Sequence, residues 1–324
     1  MVTIQGATPE RPARSASMEP LADTRPPAPR SPERPRLRKI RAVVNAASGS
    51  VGPNAADAVQ RAVAAHGLDL TMATPGKGEL EGAITAAIDA SPDLLIVLGG
   101  DGTARLAAER CGPEGPLLAA LPGGTLNMLP HVLYGPLAWA PALDAALTDG
   151  IERPISGGRV NGQLFFVAAV LGSPALWSAA REAVRAGDLK QAWRKGGYAL
   201  RRAFSGRIHY GIDGSPASDA EALVLITPAV SKAITEETGL EVVEVDAHNA
   251  QEMFRLALRG LAGDWRADPS VKVTVARRGG ARARRPIPCI LDGELTRMGA
   301  RIEFSFRPKA FRALALPGDH GAVL

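Results

Sequence analysis

Three short segments carry residue types that could hold a phosphate. Gly99-Gly100-Asp101-Gly102-Thr103 follows the apolar run Asp93 to Leu98 and opens a helical stretch, Thr103 to Arg110. Glycines there let the backbone approach a ligand closely, and the amides of a turn that runs into a helix start make an anion-binding nest. Pro122-Gly123-Gly124-Thr125-Leu126-Asn127 repeats the arrangement after Leu117 to Leu121, about one βαβ unit downstream. Asn45-Ala46-Ala47-Ser48-Gly49 follows the first apolar run in the same way. An isolated Gly-Asp-Gly would read as a tight turn whose aspartate caps its helix; turns in successive units favour a phosphate site. No Walker A pattern exists, because Gly76-Lys77 lacks both the upstream glycine and the following Ser or Thr. Far downstream, Asp292-Gly293-Glu294 follows Ile287 to Leu291. Taken alone, Glu294 reads as a solvated carboxylate beside an Asp-Gly hairpin turn.

The elements around these segments alternate. Arg41 to Asn45 reads as a strand, 54–66 as a helix, Leu68 to Ala73 as a strand and 79–90 as a helix. Asp93 to Leu98 is apolar on both faces, as a central parallel strand should be. Alternating β and α elements predict a parallel sheet covered on both sides, with ligands at the carboxyl ends of its strands. Near residue 155 the texture becomes strand-rich. Arg159 to Phe166 carries Asn161-Gly162 between apolar residues, the strongest short hairpin signal. Residues 175–206 and 249–260 read as helical, and strands are expected at 207–212, 221–227, 240–246, 271–276, 287–291, 301–306 and 311–316. The fold class is therefore α/β: a parallel-sheet nucleotide domain over 40–155, a mainly antiparallel β domain over 156–308, and a C-terminal segment, 309–324, whose strand returns to the first domain.

Composition narrows the function classes. Of 324 residues 46% are apolar and 22% charged, enough to bury a core without disulfides or metal. Residues 1–39 hold eight of the 26 prolines and eight Lys/Arg against four Asp/Glu, a composition that reads as a disordered tail. The tail accounts for about +4 of the net +5, so the remainder is near neutral and gives no support for nucleic-acid binding. The two cysteines, Cys111 and Cys289, fit a reducing compartment and read as packing residues, which makes a cytoplasmic protein the expectation. No apolar run approaches the ~20 residues of a membrane span, and the first thirty residues lack a secretory hydrophobic core.

The four motifs, in this order, resemble the diacylglycerol kinase catalytic domain family and its bacterial lipid kinases, distantly akin to NAD kinases. Gly99–Thr103 and Pro122–Asn127 match intact, Asn45–Gly49 matches with Ala46 for proline, and Asp292–Glu294 matches near the C-terminus. The resemblance implies ATP and Mg2+ as cofactors, with nucleotide contacts at Gly99, Gly100, Asp101, Gly102, Thr103, Gly124 and Asn127. It adds Thr74 and Thr125 as contacts and Asn45 as the residue shaping the first loop. It implies Glu294 as general base and Asp101 as organiser of Mg-ATP, the roles phosphoryl transfer needs. The implied activity is phosphorylation of a lipid hydroxyl, diacylglycerol or a related lipid, at a membrane surface. An NAD kinase-like enzyme and a catalytically weakened nucleotide-binding regulator are the alternatives. Against the first, the chain lacks a Leu-Gly-Phe-Leu segment and has Pro-Gly-Gly-Thr-Leu-Asn.

Departures favour the second alternative. Ala104-Arg105-Leu106 stands where the family has x-Asn-Glu, and Met128 where it has Asp. Thr238-Gly239-Leu240 replaces an Asp-Gly-Leu that helps hold a structural magnesium, so no metal ligand is assigned. The five histidines show no metal or triad spacing. Trp177, Trp193, Tyr198 and Phe204 fit a helical core face or an acyl-chain groove. Arg277, Arg278, Arg282, Arg284 and Arg285 read as a solvated hairpin loop, with docking on an anionic membrane as the second reading, which would place the protein peripherally at the inner membrane face.

Overall fold

The computed structural model describes residues 34–172, 207–231, 233–246, 266, 269 and 271–318. The two helical stretches expected at 175–206 and 249–260, the four aromatic residues in the first of them and most of the tail lie outside these residues.

Four parallel strands form one end of a long sheet: β1 (Ile40–Val44), β2 (Leu70–Ala73), β3 (Leu94–Gly99) and β4 (Leu117–Pro122), in the order β2-β1-β3-β4. Every residue of β3 and β4 is buried, which is why both read as unbroken apolar runs. Helices α1 (Ala55–Ala65), α2 (Leu80–Asp89) and α3 (Asp101–Cys111) are the connections. α1 buries Ala55, Val59 and Val63, one residue per turn of a single face. Two further helices, α4 (Met128–Tyr134) and α5 (Trp139–Asp149), follow β4.

Beyond α5 the chain becomes antiparallel. β5 (Ile151–Val160) and β6 (Gln163–Phe165) form the expected hairpin, with Val160 opposite Gln163. Both turn residues take positive φ, 45° at Asn161 and 89° at Gly162, as a two-residue type I′ turn requires. β7 (Ala168–Gly172), β10 (Ala222–Ile226), β11 (Leu240–Val245), β12 (Val271–Ala276), β14 (Pro288–Leu291) and β15 (Glu294–Arg297) make a second, six-stranded sheet, β12-β11-β10-β7-β14-β15. The rest, β8 (Ile208–Ile212), β9 (Ser218–Ala220), β13 (Arg278–Arg282) and β16 (Arg301–Ala315), extend the long sheet past β4 as β16-β13-β8-β9, and β5 lies along β16. The second sheet faces this extension across a core that includes Phe165, Leu171, Leu225, Cys289 and Phe304. The α/β fold with a second antiparallel layer is thus as expected, and the last strand does return, Ala313 pairing with Leu118 of β4.

Two expectations need correction. The strands expected at 301–306 and 311–316 are one strand, β16, paired with β5 along both halves. Arg307-Pro308-Lys309 looks like a break because proline lacks an amide, but a register shift between Arg307 and Phe311 absorbs it, with Lys309 at φ 48°. The expected divisions at 155 and 308 therefore fall inside continuous strands.

The arginine segment is not a loop through its first half: Arg278–Arg282 is β13, held between β16 and β8. Its two glycines lower strand propensity and give the segment the look of a loop. A Cβ on Gly279 would stand 2.3 Å from Phe304 Cζ and 2.8 Å from the Gly211 carbonyl oxygen, so the bare glycine is what lets the Phe304 ring cover the strand. Gly279→Ala should overpack this contact and cost about 1–3 kcal/mol, read as a lower midpoint in denaturant unfolding. Unchanged stability would show that the ring has room to move.

Candidate functional site

In an open parallel sheet a crevice opens where neighbouring strands send their connections in opposite directions. Here that point lies between β1 and β3, since β1 leads outward to β2 and β3 leads the other way to β4. Asn45, just past β1, bridges it: its Nδ2 donates to Thr103 Oγ1 at 3.0 Å, and its amide donates to the Leu98 carbonyl at 2.9 Å. Ser48 Oγ donates to the Gly123 carbonyl at 2.7 Å and Ser50 Oγ to that of Gly124 at 3.0 Å. The three turns are thereby tied into one rim.

They approach backbone to backbone. A Cβ on Gly124 would lie 2.6 Å from Gly100 Cα, and one on Gly123 would lie 3.0 Å from the Gly99 amide nitrogen and 2.6 Å from Val51 Cγ2. Glycine is required at both for the turns to nest. Gly100, the residue before α3, is extended and no side chain caps the helix, so the first amides of α3 remain for an anion.

Asp101 caps a helix, but not its own. Its carboxylate accepts the amides of Asn127, at 2.9 Å, and Met128, at the start of α4. Asn127 sits in the left-handed region, at φ 53°, and its side chain closes the loop on itself, accepting from the Gly124 amide at 2.7 Å and donating to the Gly124 carbonyl at 3.1 Å. Burial raises the Asp101 carboxyl above its ordinary value against the pull of the two amides, and the charge of Glu294 adds to the rise.

Glu294 arrives from the other end of the chain. Asp292, 2% exposed, turns in the left-handed region at φ 46°, and its carboxylate accepts the amides of Phe166, Val167 and Ala168 at 2.8, 2.8 and 3.1 Å. Gly293, also at positive φ, packs against the second turn, where a Cβ would fall 2.7 Å from Leu126 Cδ1 and 3.2 Å from Met128 Sδ. The next residue thus lays its carboxylate on α3: a Cβ on Gly102 would stand 2.2 Å from Glu294 Oε1. Arg105, one turn along α3, donates to Glu294 Oε2 at 3.0 Å.

The structure therefore gathers Asn45, Gly99, Gly100, Asp101, Gly102, Thr103, Gly124, Asn127 and Glu294. Thr74 and Thr125 are exposed and make no hydrogen bond among the described residues. Ser48, Ser50, Arg105 and Asp292 are the contributors that the sequence reading gave no role. The first two lie in or beside a quoted motif, and Asp292 belongs to one, so their signal was present. Arg105 gave none, because its partner is 189 residues away.

The departures are packed rather than left open. Leu106 and Met128 are half-buried against the main core, and Arg105 is the partner of Glu294. At the Thr238 segment, Arg277 Nη1 donates to the carbonyls of Glu237, at 2.7 Å, and Thr238, at 3.4 Å. A guanidinium already faces these oxygens, so they do not fit a structural cation. No group of three or more metal-ligating side chains exists among the described residues. With both Asp101 oxygens engaged by amides, a magnesium fits here only as one carried in largely by phosphate oxygens.

Residues 39–160 match the family model of the Diacylglycerol kinase catalytic domain. The resemblance read from the first three motifs therefore holds over that segment, and Asp292–Glu294 lies outside it. Two Pseudomonas aeruginosa proteins, each named Probable lipid kinase YegS-like, are 41% identical over 90 residues, 27% of this chain. The matched stretch spans 29% of the length of those relatives. Two crystal structures from Bacillus anthracis str. Sterne share the fold. One, described as a candidate diacylglycerol kinase, is 20% identical with a TM-score of 0.67, over 90% of this chain and 99% of that one. The other, described as a diacylglycerol kinase, is 16% identical with a TM-score of 0.60, over 87% and 98%. Among the described residues no helix is long and apolar enough to cross a membrane.

The support under Glu294 has a pH signature. Burial pushes the Asp292 carboxyl up to about 6, outweighing its three amide donors and the positive charge of Arg105. The folded state then binds this proton more tightly than the unfolded chain, whose carboxyl titrates near 3.8. Stability from this group is fullest below that value and declines as pH rises through 6. Relative to Asp292→Asn, the wild type should gain about 1 kcal/mol between pH 7 and pH 5 in denaturant unfolding. A wild-type advantage that shrinks on acidification would mean that the amide bonds dominate instead.

Proposed function

We propose that this chain is a kinase that transfers the γ-phosphate of ATP to a lipid hydroxyl, diacylglycerol or a related lipid, at the inner face of a membrane. The observation that carries the reading is the seat of the Glu294 carboxylate on Gly102, at the uncapped start of α3. One cleft thus offers amides for a polyphosphate beside a carboxylate for a hydroxyl proton. The family match over 39–160 and the names of the relatives support the lipid acceptor.

In this reading the acceptor hydroxyl gives its proton to Glu294 as its oxygen forms the new bond to phosphorus, and the bond to the β-phosphate oxygen breaks to leave ADP. The amides at Gly100–Thr103 cradle the phosphates, and Arg105 holds the carboxylate while adding a positive charge beside them. Asp101 keeps the two glycine turns in register through α4. A magnesium ion arriving with ATP would neutralise phosphate charge, with Asp101 as the neighbouring carboxylate.

The second reading, a nucleotide-binding regulator, has its own observation. Arg105 pairs with the proposed base, and Leu106 and Met128 have joined the core. Labelled ATP with a total lipid extract separates the two. A labelled lipid is the expected product; ATP binding without transfer to any lipid would favour the regulator, and transfer to NAD would overturn the lipid acceptor.

Two substitutions divide the roles. Glu294→Gln keeps the shape and an acceptor for Arg105, so ATP affinity and thermal midpoint should hold while lipid phosphorylation falls by roughly 10²- to 10⁴-fold. Normal turnover by this variant would refute Glu294 as base. Asp101→Asn should weaken both nucleotide affinity and turnover, because the α4 amides lose a charged acceptor and the phosphates lose a neighbouring carboxylate. An unchanged ATP affinity would detach Asp101 from the nucleotide.

A further inference from the structure

Where β5, β16, β13 and β8 run side by side, the long sheet has one face in the core and one in solvent. On the core face Val160, Phe304, Phe306, Ala281 and Tyr210 pack against the second sheet. Strand pleating then sends their neighbours outward. The outward row is basic: Arg159 of β5 stands opposite Ser305 of β16, which stands opposite Arg278 of β13, and Arg307 lies two residues along β16. Next to them Gly280 pairs with Gly211, so that part of the floor carries no side chains. Together they shape an open groove of about 650 Å³.

Elsewhere Arg34, Arg105, Arg110, Arg207, Arg266 and Arg312 have a carboxylate partner, whereas Arg61 and Arg297 stand singly on the surface without one among the described residues. What marks the groove is that three such arginines share it. Among the described residues Arg159, Arg278 and Arg307 have no hydrogen-bond or ion-pair partner for their guanidinium groups. Arg159 Nε is even shut off from solvent with no acceptor. Of the two nearby carboxylates, Asp213 is taken up by the amides of Arg277 and Arg278, and Glu303 alone stands on the groove without pairing. Three guanidinium forks against two carboxylates leave the groove with a net positive charge that phosphate groups would meet, because each fork can engage phosphate oxygens in pairs.

We propose that this groove is a docking surface for anionic membrane lipid, its arginines engaging phosphodiester headgroups. The outward row continues past the groove at the end of β13, where Arg282 stands opposite Arg301. The groove lining includes no base-stacking shelf of exposed aromatic residues, which argues against single-stranded nucleic acid. The choice of a lipid surface over another polyanion rests on the lipid-kinase reading; the arginine geometry does not.

The test is binding of the full chain to vesicles without ATP. Phosphatidylcholine vesicles containing phosphatidylglycerol should bind it at low salt, pure phosphatidylcholine vesicles should not, and raised salt should release it. Arg278→Gln with Arg307→Gln should weaken that binding by roughly 25-fold, about fivefold for each arginine. Arg61→Gln with Lys77→Gln, exposed but outside the groove, should leave it unchanged. Equal loss in the two double variants, or no loss in the first, would overturn the docking surface. So would tight groove-dependent binding of a DNA or RNA oligonucleotide, or competition by millimolar inorganic phosphate, which would indicate a soluble-anion site. Because the assay needs no turnover, vesicle binding by a protein inactive on every lipid would overturn the kinase reading and leave this surface standing. Phosphorylation of a dispersed short-chain lipid by the groove variant, with vesicle binding lost, would separate them in the other direction.

Discussion

The buried carboxylate of Asp292 is the contact on which the site depends. Its oxygens gather three successive amides, Phe166 to Ala168, at the place where the chain leaves the long sheet after β6 and enters the second sheet at β7. Thr227 grips the same link from the other side, its hydroxyl donating to the Phe166 carbonyl at 2.7 Å. A link between two sheets would otherwise leave peptide groups buried and unpaired, at a cost of about 1–3 kcal/mol each. Burying a carboxylate is itself expensive, and here the three amides and the charge of Arg105 offset it only in part. The result is a turn whose position is fixed by the junction of the layers, from which Gly293 and Glu294 extend to the second and first glycine turns. A carboxylate far along the chain from the hairpin is thus placed by the same bonds that join the sheets.

The side of the three glycine turns is built on a different economy of space. Gly99, Gly100, Gly123 and Gly124 serve close backbone approach before they serve any ligand, since a methyl group at Gly123 or Gly124 would strike the neighbouring turn. Asp101 adds a charged bond to this nesting by capping α4 rather than α3. One helix start is filled by protein and the adjacent one is left open to an anion. Since the turns are held by their own hydrogen bonds, a polyphosphate would meet donors already in place, with little ordering to be done on binding.

Local pattern made much of this legible. The parallel strands could be read from unbroken apolar runs, the β5–β6 hairpin from Asn-Gly, and the three turns from glycine after strand. What could not be read depended on distant partners. Arg105 looked like a departure until Glu294 came to lie beside it. Met128 looked like a lost carboxylate, but it is packed against Gly293, which itself needs positive φ. Arg278–Arg282 looked like a loop because two glycines lower strand propensity, a weak preference that the Phe304 ring and two neighbouring strands override. Pro308 looked like a terminator, and the bulge in β16 shows that a long strand can pass a missing amide when its partner shifts register.

β16 connects these features. Its C-terminal half sits beside β4 and completes the parallel sheet; its N-terminal half forms the middle of the basic face. The solvent side of a sheet needs polar residues, and alternating signs would serve solubility with favourable cross-strand pairs. Arginines placed across neighbouring strands with little acid between them repel one another instead, so this face works against folding in a small way. Three arginines that share one groove without an ion-pair partner among the described residues give this face a charge that an anionic surface would offset.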